Sequence, residues 1–323
     1  MGKPSVHPMG TIIYKPEKCF NGYTLFQAAG QGATLIDMNG GVVNHWHNLQ
    51  GFPNKMLPGG QVFGSRGERN STYGWQDQKD LVQVDWDGKV VWEFKQNEYI
   101  EDPGYEGEWM ARQHHDFQRE GNTVGYYVPG MEGKTNSGNT LILTHCDVVN
   151  PEMSLHTLID DRIIEVDWDG NIVWDWKCNE HFDEMGFDEA AKNVIARNPT
   201  LGATGKGDWM HINSMSVLGP NKWYEAGDER FNPENIIIDG RQTNIIAIIE
   251  KKTGKPKTFY INDKLKRVLK EYTKGRNLDE PLFLGKQGKR LDRSQVYRFI
   301  VKVCKEHDIK VHVSTHTLRR SFG

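Results

Sequence analysis

Residues 162–176 read RIIEVDWDGNIVWDW. A β-branched run from Ile163 to Val166 meets the quartet Asp167-Trp168-Asp169-Gly170, and a second such run follows it and ends in Trp174 and Trp176. Apolar alternation on both sides of an Asp-Gly turn is the strongest short-range signal of a β-hairpin, because the glycine accepts the positive φ that a tight turn requires.

The same grammar recurs upstream. Residues 33–46 read ATLIDMNGGVVNHW and residues 80–94 read DLVQVDWDGKVVWEF, so the turn pairs are Asp37/Gly40, Asp85/Gly88 and Asp167/Gly170. A degenerate fourth copy, NIIAIIEKKTGK, begins at Asn244. Between the hairpins lie FPNKMLPGGQVFG (52–64), HHDFQREGNTVGYY (114–127) and HINSMSVLGPNKWY (211–224), which read as inner strands. Long repeats of antiparallel strands with Trp and Gly at fixed places predict the blades of a β-propeller, and a β-sandwich of the same hairpins stays open as the alternative. The tryptophans fit packing between blades better than a ligand cage.

Charge divides the chain. Residues 251–323 carry 20 Lys and Arg against 7 Asp and Glu, whereas residues 1–250 carry 20 against 36 and contain all ten tryptophans. Two domains are therefore expected, at 1–250 and 251–323. No stretch has the roughly 18 consecutive apolar residues of a membrane span, and residues 1–10 lack the pattern of a secretory leader, which predicts a cytoplasmic protein with no membrane partner. Cys19, Cys146, Cys178 and Cys304 are scattered, with no Cys-x-x-Cys pair, so free and mostly buried thiols are expected and no metal or cofactor is called for.

Several polar residues fit no packing role: His114, His115 and Asp116, then Asp208, His211 and Asn213, then Arg241. They fall on or beside inner-strand segments of different repeats, so a propeller would gather them around its central channel, where imidazoles and a guanidinium surround one anion. Around these residues, in ARQHHDFQREGN (111–122), GDWMHINSMSVLGPNKWY (207–224) and GDERFNPENIIIDGR (227–241), the sequence resembles the bacterial arylsulfate sulfotransferases over about residues 10–254. That resemblance implies a six-bladed propeller with about half of its blades in this chain. It also implies transfer of a sulfuryl group from a phenolic sulfate ester to a phenol acceptor, through a sulfohistidine and without a nucleotide sulfate donor. His115, His211 and Arg241 match the family's sulfate-binding set. The family's sulfated histidine belongs to a later blade, so impaired turnover and open sheet edges are expected.

The basic segment has another grammar. KKTGKPKTFYIND (251–263) reads as a hairpin leading into a helix, and KLKRVLKEYTK and LDRSQVYRFIVKVCKEH have helical apolar spacing. The chain ends STHTLRRSFG, placing His316 and Arg319 three apart on one helix face. Over about residues 245–323 the segment resembles the catalytic domain of tyrosine recombinases, the phage integrases. The match implies DNA as a partner, with Lys252 as general acid and His316 and Arg319 on the scissile phosphate. Tyr260, Tyr272 and Tyr297 all precede the His-x-x-Arg box, so none takes the family nucleophile's place, and strand cleavage by this chain is not expected. The stretch IIAIIEKKTGK fits both resemblances, which points to a fusion at that shared piece. Oligomeric state, donor and acceptor identity and DNA sequence preference are not encoded in any of these patterns.

Overall fold

The structure, a computed structural model, describes residues 11, 13–28, 30–122, 132–200, 206–258, 267, 270–276, 298, 302 and 306. The backbone divides into two compact units, residues 1–259 and 260–323.

The first unit is mainly β. Its first sheet holds β1 (Thr24–Ala28), β2 (Gly32–Ile36) and β3 (Val42–Trp46). The second is β4 (Lys55–Met56), β5 (Val62–Gly64), β6 (Leu81–Val84) and β7 (Val90–Phe94), followed by a separate two-stranded hairpin, β8 (Glu98–Ile100) and β9 (Glu108–Met110). The third is β10 (Gln113–Arg119), β11 (Thr140–Val148), β12 (Leu158–Val166) and β13 (Ile172–Lys177). After helix α1 (Glu189–Arg197) comes the fourth: β14 (Ile212–Val217), short helix α2 (Lys222–Glu225), then β15 (Ile236–Gly240), β16 (Ile245–Ile249) and β17 (Pro256–Thr258). Each multi-stranded sheet is an antiparallel meander in sequence order, which is the blade pattern of a partial propeller, and among the described residues no barrel closes.

The four hairpins read from the sequence are the last two strands of the four sheets. Their turns form for the expected reason: Asp37 Oδ1 accepts Gly41 N at 2.8 Å, Asp85 Oδ1 accepts Lys89 N at 2.9 Å, and Asp167 Oδ1 accepts Asn171 N at 2.8 Å. Gly40, Gly88 and Gly170 sit at φ 82°, 85° and 85°, a region closed to most L-residues. In each of these three hairpins the strand register shifts at the residue next to the turn.

Strand alternation distributes the core. Because successive side chains point to opposite faces, Leu141 and Leu143 of β11 face the fourth sheet while Ile142 faces the second. Three apolar clusters result. One lies between the first two sheets (Ala33, Leu35, Trp46, Val62, Val82, Val84), one between the second and third (Phe63, Trp92, Phe94, Phe117, Ile164), and one between the third and fourth (Ile163, Trp176, Met215, Ile238, Ile249).

A repeated polar contact also joins the sheets. Asn44 Nδ2 donates to the Trp86 carbonyl at 2.7 Å, Trp92 Nε1 to Trp168 at 2.8 Å, and Trp174 Nε1 to Lys251 at 3.2 Å. The three donors occupy the same place in successive hairpins, and the three acceptors lie one residue past the turn Asp or Glu of the next hairpin. Two further indoles reinforce this, Trp46 to the Asp85 carbonyl and Trp176 to the Gly254 carbonyl. Trp46, Trp92, Trp174 and Trp176 are thus pins between sheets.

In the second unit the described positions within the two expected helical stretches, Arg267 and Lys270–Tyr272, then Arg298, Lys302 and Glu306, are helical. Lys302 and Glu306 pair at 3.6 Å across one turn. Among the described residues no helix is long and apolar enough to cross a membrane. Cys146 and Cys178 are buried and Cys19 is exposed, while Cys304 lies outside the described residues.

Candidate functional site

His115, His211 and Arg241 meet although they are far apart in sequence. His115 Nε2 stands 3.1 Å from His211 Nε2, and Arg241 Nη1 stands 3.4 Å from the same His211 nitrogen. Backbone geometry brings this about. His115 sits in a bulge of β10, between the paired residues Gln113 and Phe117, at φ 52°. His211 immediately precedes β14 at φ 51°, and its carbonyl accepts the N–H of Arg241, the residue following β15, at 2.9 Å. Bulges re-aim side chains, and non-glycine residues in the left-handed region cluster at functional sites.

Asp208 completes the group. Its Oδ2 accepts the His211 Nδ1 proton at 2.5 Å, and its Oδ1 is buried without a protein partner. His211 is buried, His115 half-buried and Arg241 exposed, so the cluster reaches solvent on the guanidinium side. The exposed ring of Phe52 stands edge-on to His115, with centroids 6.1 Å apart. Burial, followed by the neighbouring His211 and His145 rings, pushes the His115 imidazole down to about 4, so it is neutral at neutral pH.

The neighbouring polar residues do other work. His114 meets His115 edge-on, centroids 5.5 Å apart, and stacks on His145, centroids 3.6 Å apart and planes 16° apart. Burial holds His114 well below its ordinary range. His114 Nε2 lies 3.1 Å from Asp161 Oδ1, out of line for a hydrogen bond, and burial together with Asp208 and Asp160 raises the Asp161 carboxyl well above the usual range. Asp116 pairs with Lys55 and accepts Met215 N at 2.9 Å, tying β10 to the second and fourth sheets. Asn213 Oδ1 is buried without a protein partner.

His114, His145 and Asp161 offer donor atoms all within 4.8 Å of one another, the composition of a metal site.

Sequence reading missed His145 and the network behind it. Asp77 is fully buried, and it accepts from His145 Nδ1 at 2.7 Å, Arg112 Nε at 3.0 Å and Arg69 Nη1 at 3.1 Å. Burial works to raise the Asp77 carboxyl, yet Arg112, His145 and Arg69 hold it well below the usual carboxylate range. One signal for His145 exists in the repeat: its N–H bonds to the Arg112 carbonyl as that of Arg241 bonds to His211, so His145 and Arg241 are equivalent positions of successive sheets.

The recombinase-like residues are elsewhere. Lys252 is exposed in the β16–β17 turn and lines a cleft of about 800 Å³ with Glu120, Trp174 and Lys251, apart from the histidine cluster. His316 and Arg319, like Tyr260 and Tyr297, lie outside the described residues, while Tyr272 is described and lies under the Arg276 guanidinium, 5.0 Å from its ring centroid.

Residues 34–261 match the family model for arylsulfotransferase (ASST). The chain belongs to the arylsulfotransferase family. All four sheets and the His115–His211–Arg241 cluster fall within the matched span or overlap it. Residues 234–323 match the phage integrase family, so the chain joins two family sequences whose matches share residues 234–261. That overlap contains the IIAIIEKKTGK stretch. No curated protein matches the chain.

Proposed function

We propose that the first unit binds a phenolic sulfate ester and moves its sulfuryl group to a phenol acceptor, with the sulfate oxygens held by Arg241, His115 and His211. The observation that carries this reading is the convergence of two imidazoles and one exposed guanidinium within 3.4 Å contacts at the solvent edge of an arylsulfotransferase-family fold. Sulfuryl transfer, like phosphoryl transfer, spreads charge over equatorial oxygens and onto the departing phenolate. Arginine supplies permanent paired donors for that charge, and a histidine exchanges a proton near neutral pH. Phe52 supports an aryl group, because its exposed ring offers an edge or face beside His115.

The reading includes impaired turnover. The cluster nitrogens seen to interact face one another and Asp208, and the His114 and His145 rings are buried in a stack against each other, so binding is expected to outlast transfer. Incubation with a chromogenic aryl sulfate and a phenol acceptor tests this, with acid-labile sulfohistidine followed by mass spectrometry. Saturable donor binding with little sulfated protein is expected, and no donor binding at all overturns the reading.

A second reading rests on the phage integrase match together with the basic excess of residues 251–323: this segment contacts DNA phosphates. Binding through several phosphates weakens steeply with salt. Filter binding from low to moderate salt checks it, and no retention at low salt removes it.

A further inference from the structure

Three adjacent strands of the third sheet each bring one metal-binding side chain to the same level. His145 of β11 and Asp161 of β12 are direct partners in the antiparallel register, and His114 follows Gln113 of β10, whose partner Thr144 precedes His145. Residues directly opposite one another across a ladder share a face. In the β10 bulge the His114 ring lies on His145, and its Nε2 reaches 3.1 Å from Asp161 Oδ1. We propose that His114, His145 and Asp161 bind a divalent metal ion of the zinc class, at a site separate from the anion cluster and independent of the sulfuryl-transfer reading.

Unspent polar atoms point to a ligand. All three side chains are fully buried, and both ring nitrogens of His114 and Nε2 of His145 lack an aligned hydrogen bond. Buried polar groups are nearly always satisfied, so three such atoms in one cluster call for a partner. Among the described residues Asp161 accepts only the Ile212 N–H, shared between its two oxygens at 3.2 Å each, and no lysine or arginine pairs with it. A buried carboxylate without a counter-ion is costly, and a bound cation removes that cost.

The geometry fits coordination better than hydrogen bonding. His114 Nε2 and Asp161 Oδ1 are out of line for a hydrogen bond, whereas nitrogen and oxygen donors around one tetrahedral zinc stand about 3.4 Å apart. All three donors lie within 4.8 Å of one another, and their convergence on an ion opens the 3.6 Å ring stack. The orienting contact is in place: His145 gives its Nδ1 proton to Asp77 at 2.7 Å, which leaves Nε2 bare. Metal-bound histidines characteristically hand their other N–H to such a carboxylate. Two imidazoles in three donors select zinc-like ions over magnesium or calcium, which prefer oxygen. Three protein donors leave the fourth place to water. Loading ties β10, β11 and β12 together beside the bulge that carries His115, and Asp161 extends the tie to Ile212, the residue after His211.

The test uses the full chain and zinc chloride. Protein stripped with a chelator and then dialysed against zinc is expected to retain one ion per molecule by elemental analysis, and to melt at a higher temperature than the stripped form. His114→Gln and Asp161→Asn should each weaken zinc binding by at least about tenfold, the scale on which even an outer-shell partner acts, and should abolish the rise in melting temperature. His47→Gln, which removes the exposed ring of the His45–His47 pair, should keep the ion. Cobalt in place of zinc should give the wild type the visible bands of a four-coordinate site with nitrogen and oxygen donors, and this spectrum decides if either variant does not fold. No zinc retained, equal retention by the wild type and both variants, loss of the ion in His47→Gln, or cobalt bands of a fully hydrated ion overturns the proposal.

Discussion

Arg112 and His211 hold equivalent places in the third and fourth sheets. Each lies just before an inner strand in the left-handed region, at φ 49° and 51°, and each gives its carbonyl to the residue beside the second strand, His145 or Arg241. Their side chains have opposite fates. Arg112 is enclosed by Asp77, Glu98 and Asp147, and all three of its nitrogens are bonded. His211 is satisfied on one nitrogen by Asp208, while the other faces His115 and an exposed arginine. One backbone device thus carries a closed ionic lock in one repeat and, in the next, a histidine with one nitrogen turned toward an exposed arginine. A position's place in the repeat sets its backbone, and its partners set its use.

The largest effect should come from opening the lock. Asp77→Ala leaves Arg69, Arg112 and His145 without their shared carboxylate, and breaking a buried charge network from one side typically costs about 3–5 kcal/mol. Thermal unfolding should show a drop of that order; a change below about 1 kcal/mol would dissolve the contrast between the two sites.

Arg241→Ala should behave in the reverse way. Its side chain is exposed, so stability should move by no more than about 0.5 kcal/mol, whereas losing a charge-assisted contact should weaken aryl sulfate binding by about 1.5–3 kcal/mol. Paired calorimetric titration and melting curves read both numbers. Equal losses in both would place Arg241 with Arg112 as a structural ion.

Smaller again is the sheet-to-sheet pin. Trp92→Phe keeps an aromatic ring but removes the N–H given to the Trp168 carbonyl, an expected cost of about 0.5–1.5 kcal/mol. The same change at Trp174, which makes the equivalent bond one repeat later, should cost a similar amount. A large difference between the two would show that the repeats do not share one mode of attachment.

The smallest signal is a pH dependence. Folding lowers the His115 imidazole to about 4 from an ordinary value near 6.5, so the unfolded chain binds the proton first as pH falls. The stability this group contributes is fully present above about 6.5 and is lost as pH drops toward 4. Buried Asp160, raised to about 6 chiefly by burial, acts in the opposite sense over part of that window, so the effect must be read as wild type minus His115→Gln. The difference should shrink as pH falls from 6.5 to 4, and a flat difference would mean that His115 is not desolvated.

The hairpins were legible because their causes are local. Asp at the turn start, Gly at positive φ three residues on, and β-branched flanks act within a dozen residues, and each Asp-x-x-Gly formed its turn through its own carboxylate. The grouping of His115, His211 and Arg241 was legible only in outline, because successive repeats bring their inner strands together without fixing which side chains meet. Adjacent His114 and His115 illustrate the limit: both are polar residues on one inner strand, yet one stacks on His145 and the other meets His211. The β10 bulge separates their destinations, and a bulge carries no fixed residue signature.

The amino-acid sequence by itself determined the β-repeat, its turns, the tryptophans that pin one sheet to the next and the compositional break near residue 250, since these follow from short-range backbone preference, periodic apolarity and charge. Tertiary structure alone decided which histidines meet, which carboxylate pairs with His211 and which buried arginine is sealed, because hydrogen bonding and desolvation depend on groups brought together from residues nearly a hundred positions apart.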